Sequence, residues 1–342
     1  MKPLILGLAG HSLTPDEAAL FRAIDPAGYI LFGHNISDPA QIRALTDSLR
    51  DLSGKRSLPI LIDQEGGRVA RLRPPHWPHF PAGEALAALY DKAPMSAMEA
   101  ARSNGEAMGL MLADVGVTVN CAPVLDIRRD MTSPALGDRA LGTRADMVAA
   151  LGRAALDGLH SGGVVGVIKH LPGLGRADTD SHLVLPVVDA SDEELAEDLA
   201  PFAALNRARI GMVGHIVYSA WDAAQPASLS PAVIARIIRE RIGFAGLLIS
   251  DDLHMEALTG TIAERALACL AAGCDLALAC WVRGDEARAL AEVLPDISAP
   301  AQMRLDNALS LIGTAPIKTL VKTVDSIASL IAKRDALLAY AV

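Results

Sequence analysis

Short apolar runs alternate with longer amphipathic stretches along almost the whole chain of 342 residues. An apolar run of about 4–8 residues bounded by turn signals suits a strand buried on both faces, and such strands pair in parallel when helices cross between them. The candidate strands are Leu4–Leu8, Tyr29–Phe32, Pro59–Asp63, Thr118–Leu125, Val164–Lys169, Gly211–Val217, Leu247–Ser250 and Leu276–Cys280. Between them lie helical stretches such as Pro15–Ile24, Pro39–Leu52, Ala97–Val115, Ala145–Ser161, Asp192–Arg207 and Pro231–Arg241. Thr14-Pro15, Asp38-Pro39 and Ser230-Pro231 each combine an N-cap oxygen with a fixed φ, which favours initiation.

This alternation predicts an α/β fold, a single (β/α)8 barrel of the TIM type, with functional groups gathered where the strands end. An open, doubly wound sheet is the competing architecture, and it requires a glycine-rich phosphate turn after an early strand. The nearest candidate, GLAGH at residues 7–11, lacks the spacing. Arg73–Gly83, with prolines at 74, 75, 78 and 81, reads as a loop because the pattern resumes on both sides. Asp325–Val342 reads as a terminal helix packed outside the barrel, so residues 1–342 form one domain in this reading.

Composition narrows the function. About half the residues are apolar, enough for a large core, and the formal net charge of -9 disfavours nucleic acid or anionic lipid as a partner. The four cysteines show no CxxC spacing and read as buried thiols, as suits a reducing compartment. The apolar part of the opening MKPLILGLAG is at the lower limit for a signal peptide, charges and helix signals follow at once, and His11 stands where a lipoprotein signal needs cysteine; the segment reads as a first strand, so the expected location is the cytoplasm. No apolar run is long enough to span a bilayer, and nothing signals an interface, so a monomer acting on a small molecule is expected.

Four clusters follow predicted strands. LIDQEGGRVARL ends a strand in Asp63 and runs into Glu65, Gly66, Gly67, Arg68 and Arg71; the glycines permit a tight turn, and a structural salt-bridge cluster is the alternative reading. NCAPVLDI is followed by Gly137, Asp138 and Arg139; Asn120 and Asp126 read as groups that satisfy loop backbone, whereas Arg139 offers a planar fork of donors for sugar hydroxyls or a carboxylate. In VVGVIKHLPGLGRADTDSHLVLP, an apolar strand carries Lys169 and His170 to a barrel mouth, and the loop beyond reaches Asp180, Ser181 and His182. A carboxylate two residues from an imidazole can accept its N–H, fix the tautomer and raise its basicity, although an isolated DSH triplet also suits a plain Asx turn. GLLISDDLHM delivers Asp251 and Asp252 together; like charges side by side must face different surroundings, one toward the mouth and the other capping the next helix or in solvent. His215 reads as a supporting residue. No HxH pair ends an early strand, so neither a metal nor another cofactor is expected.

In their order, IDQEGGRVARL, NCAPVLDI, LGDRALG, IKHLPGLGRADTDSH and ISDDLHMEAL resemble glycoside hydrolase family 3, specifically its single-domain bacterial β-N-acetylglucosaminidases (β-hexosaminidases). The likeness runs from about Gly28 to Cys280. It implies a barrel that hydrolyses terminal N-acetylglucosamine from N-acetylglucosaminyl-1,6-anhydro-N-acetylmuramic acid, with or without peptide, in cell-wall recycling. By position within the motifs, Asp251 takes the nucleophile role, His182 the acid/base role with Asp180 as its partner, and Asp63, Arg71, Arg139, Lys169 and His170 the sugar-holding positions. The sequence departs from the family pattern at Leu171 and Leu174, where Phe and His are usual, which bears on loop mobility more than on the reaction. A glycoside phosphorylase and a non-catalytic sugar-binding barrel are the alternatives.

Overall fold

The structure is a computed structural model, and it describes residues 1–55, 57–310, 312 and 323–341. Ten strands occur in it: β1 (Lys2–Gly7), β2 (Pro26–Leu31), β3 (Ile60–Ile62), β4 (Val119–Asn120), β5 (Val165–Leu171), β6 (Val187–Val188), β7 (Ile210–Val213), β8 (Val217–Tyr218), β9 (Leu247–Asp252) and β10 (Leu276–Ala279). Eight of them close a barrel in the order β1-β10-β9-β7-β5-β4-β3-β2, with β6 and β8 forming a small separate sheet. Every barrel pair is parallel, so all strand C-termini open on one mouth. The fold is therefore the (β/α)8 barrel that the alternation predicts.

Around the barrel run α1 (Pro15–Ile24), α2 (Pro39–Ser53), α3 (Gly83–Lys92), α4 (Pro94–Asp114), α5 (Ala145–Ser161), α6 (Asp192–Ala204), α7 (Ile262–Ala272), α8 (Gly284–Val293), α9 (Ala299–Leu309) and α10 (Thr323–Leu338). A wider-wound helix at Val233–Arg241 takes the place between β8 and β9. Local chemistry sets several starts. Thr14, Ser191 and Thr261 each form a reciprocal capping box with a glutamate three residues on, and Asp38 accepts the N–H groups of Ala40 and Gln41.

The pleat divides the apolar residues into two sets. Ile5, Ile30, Leu61, Val119, Val165, Val167, Ile210, Met212, Leu247, Ile249, Leu276 and Leu278 fill the barrel, while the opposite strand faces pack against the helices. Leu305, Ala308 and Leu309 of α9 join the interior set and close the end away from the mouth. All four cysteines are free and buried. α10 lies against α4, where Arg334 donates to Asn104 Oδ1 at 3.0 Å and stacks its guanidinium over Phe80. The expected terminal helix extended to Val342, which lies outside the described residues.

Three expectations are corrected. The strand expected over Thr118–Leu125 is only Val119–Asn120, because the Ala122 N–H turns back to the Asn120 carbonyl and Pro123 has no N–H for the ladder, which resumes in the single bridge from Val124 to Lys169. The run expected over Gly211–Val217 divides: β7 stays in the barrel, and Val217–Tyr218 turns away to pair with Val187–Val188. The Pro-rich loop gives way at Gly83 to α3, which was not anticipated.

Candidate active site

Pleat alternation explains which side chains reach the mouth. In β3 and just beyond it, Leu61 points into the barrel and so does Asp63; in β5 Val167 is followed on the same face by Lys169; in β9 Ile249 is followed by Asp251. Each of these three inward columns of aliphatic side chains thus ends in an ionisable group at the top. These groups line a cavity of about 420 Å³ together with Glu65, Arg71, Arg139, His170, His182, Asp252, Phe32, His34 and Trp281. All eight candidate residues named from the sequence except Asp180 line this cavity; Asp180 lines an adjoining recess that shares His170, His182 and Asp251.

One wall is an ion-pair network. Lys169, 2 % exposed, places Nζ 2.7 Å from Glu65 Oε1 and 3.2 Å from Asp63 Oδ1. Burial alone would lower its pKa, but the Glu65 and Asp63 carboxylates outweigh this and hold it above the ordinary lysine value. Burial likewise works against ionised Glu65, yet Lys169 and Arg139 hold its carboxyl below the usual range. Asp63 is also held low, against burial, by Lys169 and Arg71, and Arg71 Nη2 donates to Asp63 Oδ2 at 3.0 Å. Arg139 spends its fork on Glu65, with Nε and Nη2 each donating at 2.8 Å, and a further N–H reaches the Ala135 carbonyl. Glu65 was seen in the sequence but left out of the sugar-holding set; the structure places it at the centre of the wall.

The turn carrying Glu65 depends on its glycines. Gly66 and Gly67 have φ of 107° and 55°, and a Cβ on Gly66 would lie 2.1 Å from the Pro81 carbonyl oxygen. Asn120 pins the same turn from β4, accepting the Gln64 N–H and donating to the Gln64 carbonyl. Asp126 does similar work for the next loop, accepting the backbone N–H groups of His170 and Leu174, and it also takes Nδ1–H of His170 at 2.6 Å. Asn120 and Asp126 thus satisfy loop backbone as expected, and Asp126 additionally fixes the His170 ring.

The loop bearing Asp180 and His182 is secured at both ends. Arg176 Nε donates to Asp198 of α6 at 2.5 Å, Ser133 N donates to the Ala177 carbonyl, and β6 beyond the loop is held by β8. At its tip the Glu256 N–H donates to the His182 carbonyl at 3.1 Å, joining it to the loop that follows Asp251. Asp180 Oδ1 accepts from the His182 backbone N–H at 3.0 Å and lies 2.8 Å from its Nδ1. Burial favours the neutral acid, but these donors outweigh it and keep Asp180 below the usual carboxylate range. An ionised carboxylate only accepts, so Nδ1 carries the proton and Nε2 is left to exchange one with a ligand.

Of the paired aspartates, Asp251 accepts the Asp252 N–H through Oδ1 and has no partner for Oδ2 among the described residues. Asp252 also borders the cavity, but its carboxylate is engaged elsewhere, and neither of the two surroundings expected for it holds. It is four-fifths covered, and Thr261 caps the following helix; its Oδ1 accepts the N–H groups of His254 and Cys280 and ties β9 to β10. Below it lies His215, fully buried, with Nε2 3.0 Å from the Asp252 carbonyl and Nδ1 2.7 Å from Ser228 Oγ. Burial lowers its pKa, so the neutral ring donates to the carbonyl and accepts from the serine, which steadies the strand end beneath Asp251. Among the described residues, no group of three or more His, Cys, Asp or Glu side chains is placed to hold a metal ion.

A strand-end carboxylate with a free oxygen, an imidazole poised to exchange a proton and a wall of fixed donors define a barrel suited to acid/base and nucleophilic chemistry on a polyhydroxylated ligand. Residues 12–314 match the N-terminal domain of glycosyl hydrolase family 3, and the chain belongs to that family. It is a glycoside hydrolase of the β-N-acetylhexosaminidase kind, and its relatives agree: a β-hexosaminidase of Alkalilimnicola ehrlichii is 38% identical over 308 residues, spanning 89% of this chain and 87% of the relative. Among solved structures, native NagZ from Neisseria gonorrhoeae superposes with a TM-score of 0.89 at 32% identity, covering 98% of both chains. The same enzyme in complex with N-trifluoroacetyl-D-glucosamine superposes equally well, with a TM-score of 0.89, 32% identity and 98% of each chain covered.

Proposed function

We propose that the chain is a retaining exo-β-N-acetylglucosaminidase that acts on N-acetylglucosaminyl-1,6-anhydro-N-acetylmuramic acid, with or without attached peptide, during cell-wall recycling in the cytoplasm. The observation that carries this reading is the convergence of Asp251 and His182 on one cavity whose wall holds Asp63, Arg71 and Lys169. The binding of an N-acylated glucosamine analogue by the gonococcal relative supports the choice of sugar. No helix among the described residues is long and apolar enough to cross a membrane, which accords with a freely diffusing enzyme.

In this mechanism Asp251 Oδ2 attacks the anomeric carbon while Nε2–H of His182 protonates the departing glycosidic oxygen, so a carbon–oxygen bond to the protein forms as the bond to the aglycone breaks. Water then gives its proton to His182 Nε2 and attacks the same carbon, releasing Asp251 and the sugar with net retention. A histidine replaces the acid carboxylate usual in such enzymes, and ionised Asp180 stabilises the imidazolium each time it forms. Asp63, in this scheme, accepts from sugar hydroxyls, and Arg71, Lys169, His170 and Arg139 donate to them or hold the acceptors in place. Incubation with a 2-fluoro or 5-fluoro N-acetylglucosaminyl donor followed by peptide mass spectrometry tests the scheme: label on Asp251 is expected, and label on another side chain, or none, would overturn it.

A further inference from the structure

The wall opposite the ion pairs is aromatic, and no sugar-holding role accounts for it. Trp281, just beyond β10, stacks on Phe32, just beyond β2, with ring centroids 4.7 Å apart and an interplanar angle of 29°. The His34 ring lies nearly parallel to Phe32, at an interplanar angle of 5°, and 5.5 Å from Trp281, and its Nε2–H donates to the Leu8 carbonyl at 2.9 Å, which fixes the ring. On its other side Phe32 carries the Arg71 guanidinium 5.5 Å from its centroid, and Arg71 is itself bound to Asp63. Three loops therefore build one rigid ledge joined to the polar wall through Arg71. Trp281 remains 44% exposed and, stacked on Phe32 in the cavity lining, leaves part of its indole open to a ligand.

Position selects the partner. Lys169 and His170 lie deep, at 2% and 5% exposure, whereas Trp281 stands at the rim of the same cavity. The packed interior of the barrel closes the inner end, so a ligand whose terminal sugar reaches the ion pairs can extend only outward, past the rim. Accepting the glycosidase reading, we infer that Trp281, seated on Phe32, is the stacking platform for the ring attached on the leaving side of the cut bond, and that it selects aglycones presenting the flat C–H face of a pyranose. An indole face offers wide apolar contact at little entropic cost and suits that surface better than a small or flexible leaving group.

Steady-state kinetics of the unaltered protein, Trp281→Ala and Trp281→Phe test this, using a disaccharide of N-acetylglucosamine β-linked to a second amino sugar, and N-acetylglucosaminyl fluoride, which has no aglycone ring. Trp281→Ala is expected to lose about tenfold in kcat/KM on the disaccharide and less than about twofold on the fluoride, with Trp281→Phe recovering most of the difference. Equal losses on both substrates would mean that the indole merely supports the pocket, and no loss on either would mean that the ledge is idle; each overturns the inference. Turnover of the fluoride by the unaltered protein tests the glycosidase reading separately. If that turnover were absent, disaccharide binding followed by tryptophan fluorescence would still decide: a quench lost in Trp281→Phe supports the platform, and an unchanged quench or none removes it.

Discussion

Glu65 Oε1 lies 2.7 Å from Lys169 Nζ while the same carboxylate takes two hydrogen bonds from Arg139, so one buried acid bridges a cation at the end of β5 and another from the loop before α5. Removing its charge leaves Arg139 without its carboxylate partner and leaves Lys169 with Asp63 alone. Glu65→Gln is expected to cost about 3–5 kcal/mol of unfolding free energy and to raise KM, as measured by urea denaturation and substrate titration. A change below about 1 kcal/mol would mean that the network is hydrated or self-adjusting.

The same pair sets a pH dependence. Glu65 and Asp63 have folded pKa values below their ordinary ones, so their contribution to stability is complete above the ordinary carboxylate range and is lost as pH falls through and below that range. Lys169 acts at the other end: its raised pKa gives a contribution that is complete below the ordinary lysine value and is lost only as pH rises through the folded value. Thermal unfolding followed from about pH 7 down to about pH 3 should show the stability gap between the native protein and Glu65→Gln holding level above the ordinary carboxylate range and narrowing below it. A gap that stayed constant would remove the charged form of Glu65 from the explanation.

His182→Ala should slow substrates with poor leaving groups by roughly 10²–10⁴-fold and nitrophenyl glycosides far less at the glycosylation step, because a good leaving group departs without a proton. Comparing kcat/KM across a series of leaving groups measures the slope. Equal losses throughout would count against a proton-donating role.

Asp251→Asn and Asp252→Asn should behave differently despite adjacent positions. The first is expected to reduce turnover by at least about 10³-fold with the fold intact. The second weakens the hydrogen bonds that join β9 to β10, so its main effect should be on stability, about 1–2 kcal/mol, with a smaller loss of rate. Circular dichroism melts beside single-turnover assays separate the two, and a reversed pattern would move the nucleophile to Asp252.

Strands and mouth were legible in the sequence because each depends on local pattern. An apolar run ending in a charge, as at Asp63, Lys169 and Asp251, announces a buried strand reaching a polar rim. Which of Asp251 and Asp252 turns inward follows from the pleat once Ile249 is known to point inside. What escaped depends on contacts distant in the chain. Glu65 looked like one charge among several until Lys169 and Arg139 were seen beside it. The pairing of Val187–Val188 with Val217–Tyr218 involves two residues on each side, too few to leave a periodic trace. Phe32 and Trp281 meet only because the barrel closes between β1 and its neighbours, a relationship no local window contains.

The plug that α9 makes with Leu305, Ala308 and Leu309 leaves traffic a single doorway. Whatever arrives last must depart first, so on the proposed retaining mechanism the severed outer fragment has to clear the entrance before water reaches the covalent sugar, and the free monosaccharide exits at the end of the cycle. Accumulated N-acetylglucosamine would therefore jam the vestibule by occupying the innermost berth, and the enzyme's pace in a crowded mixture would follow how quickly other proteins consume that sugar.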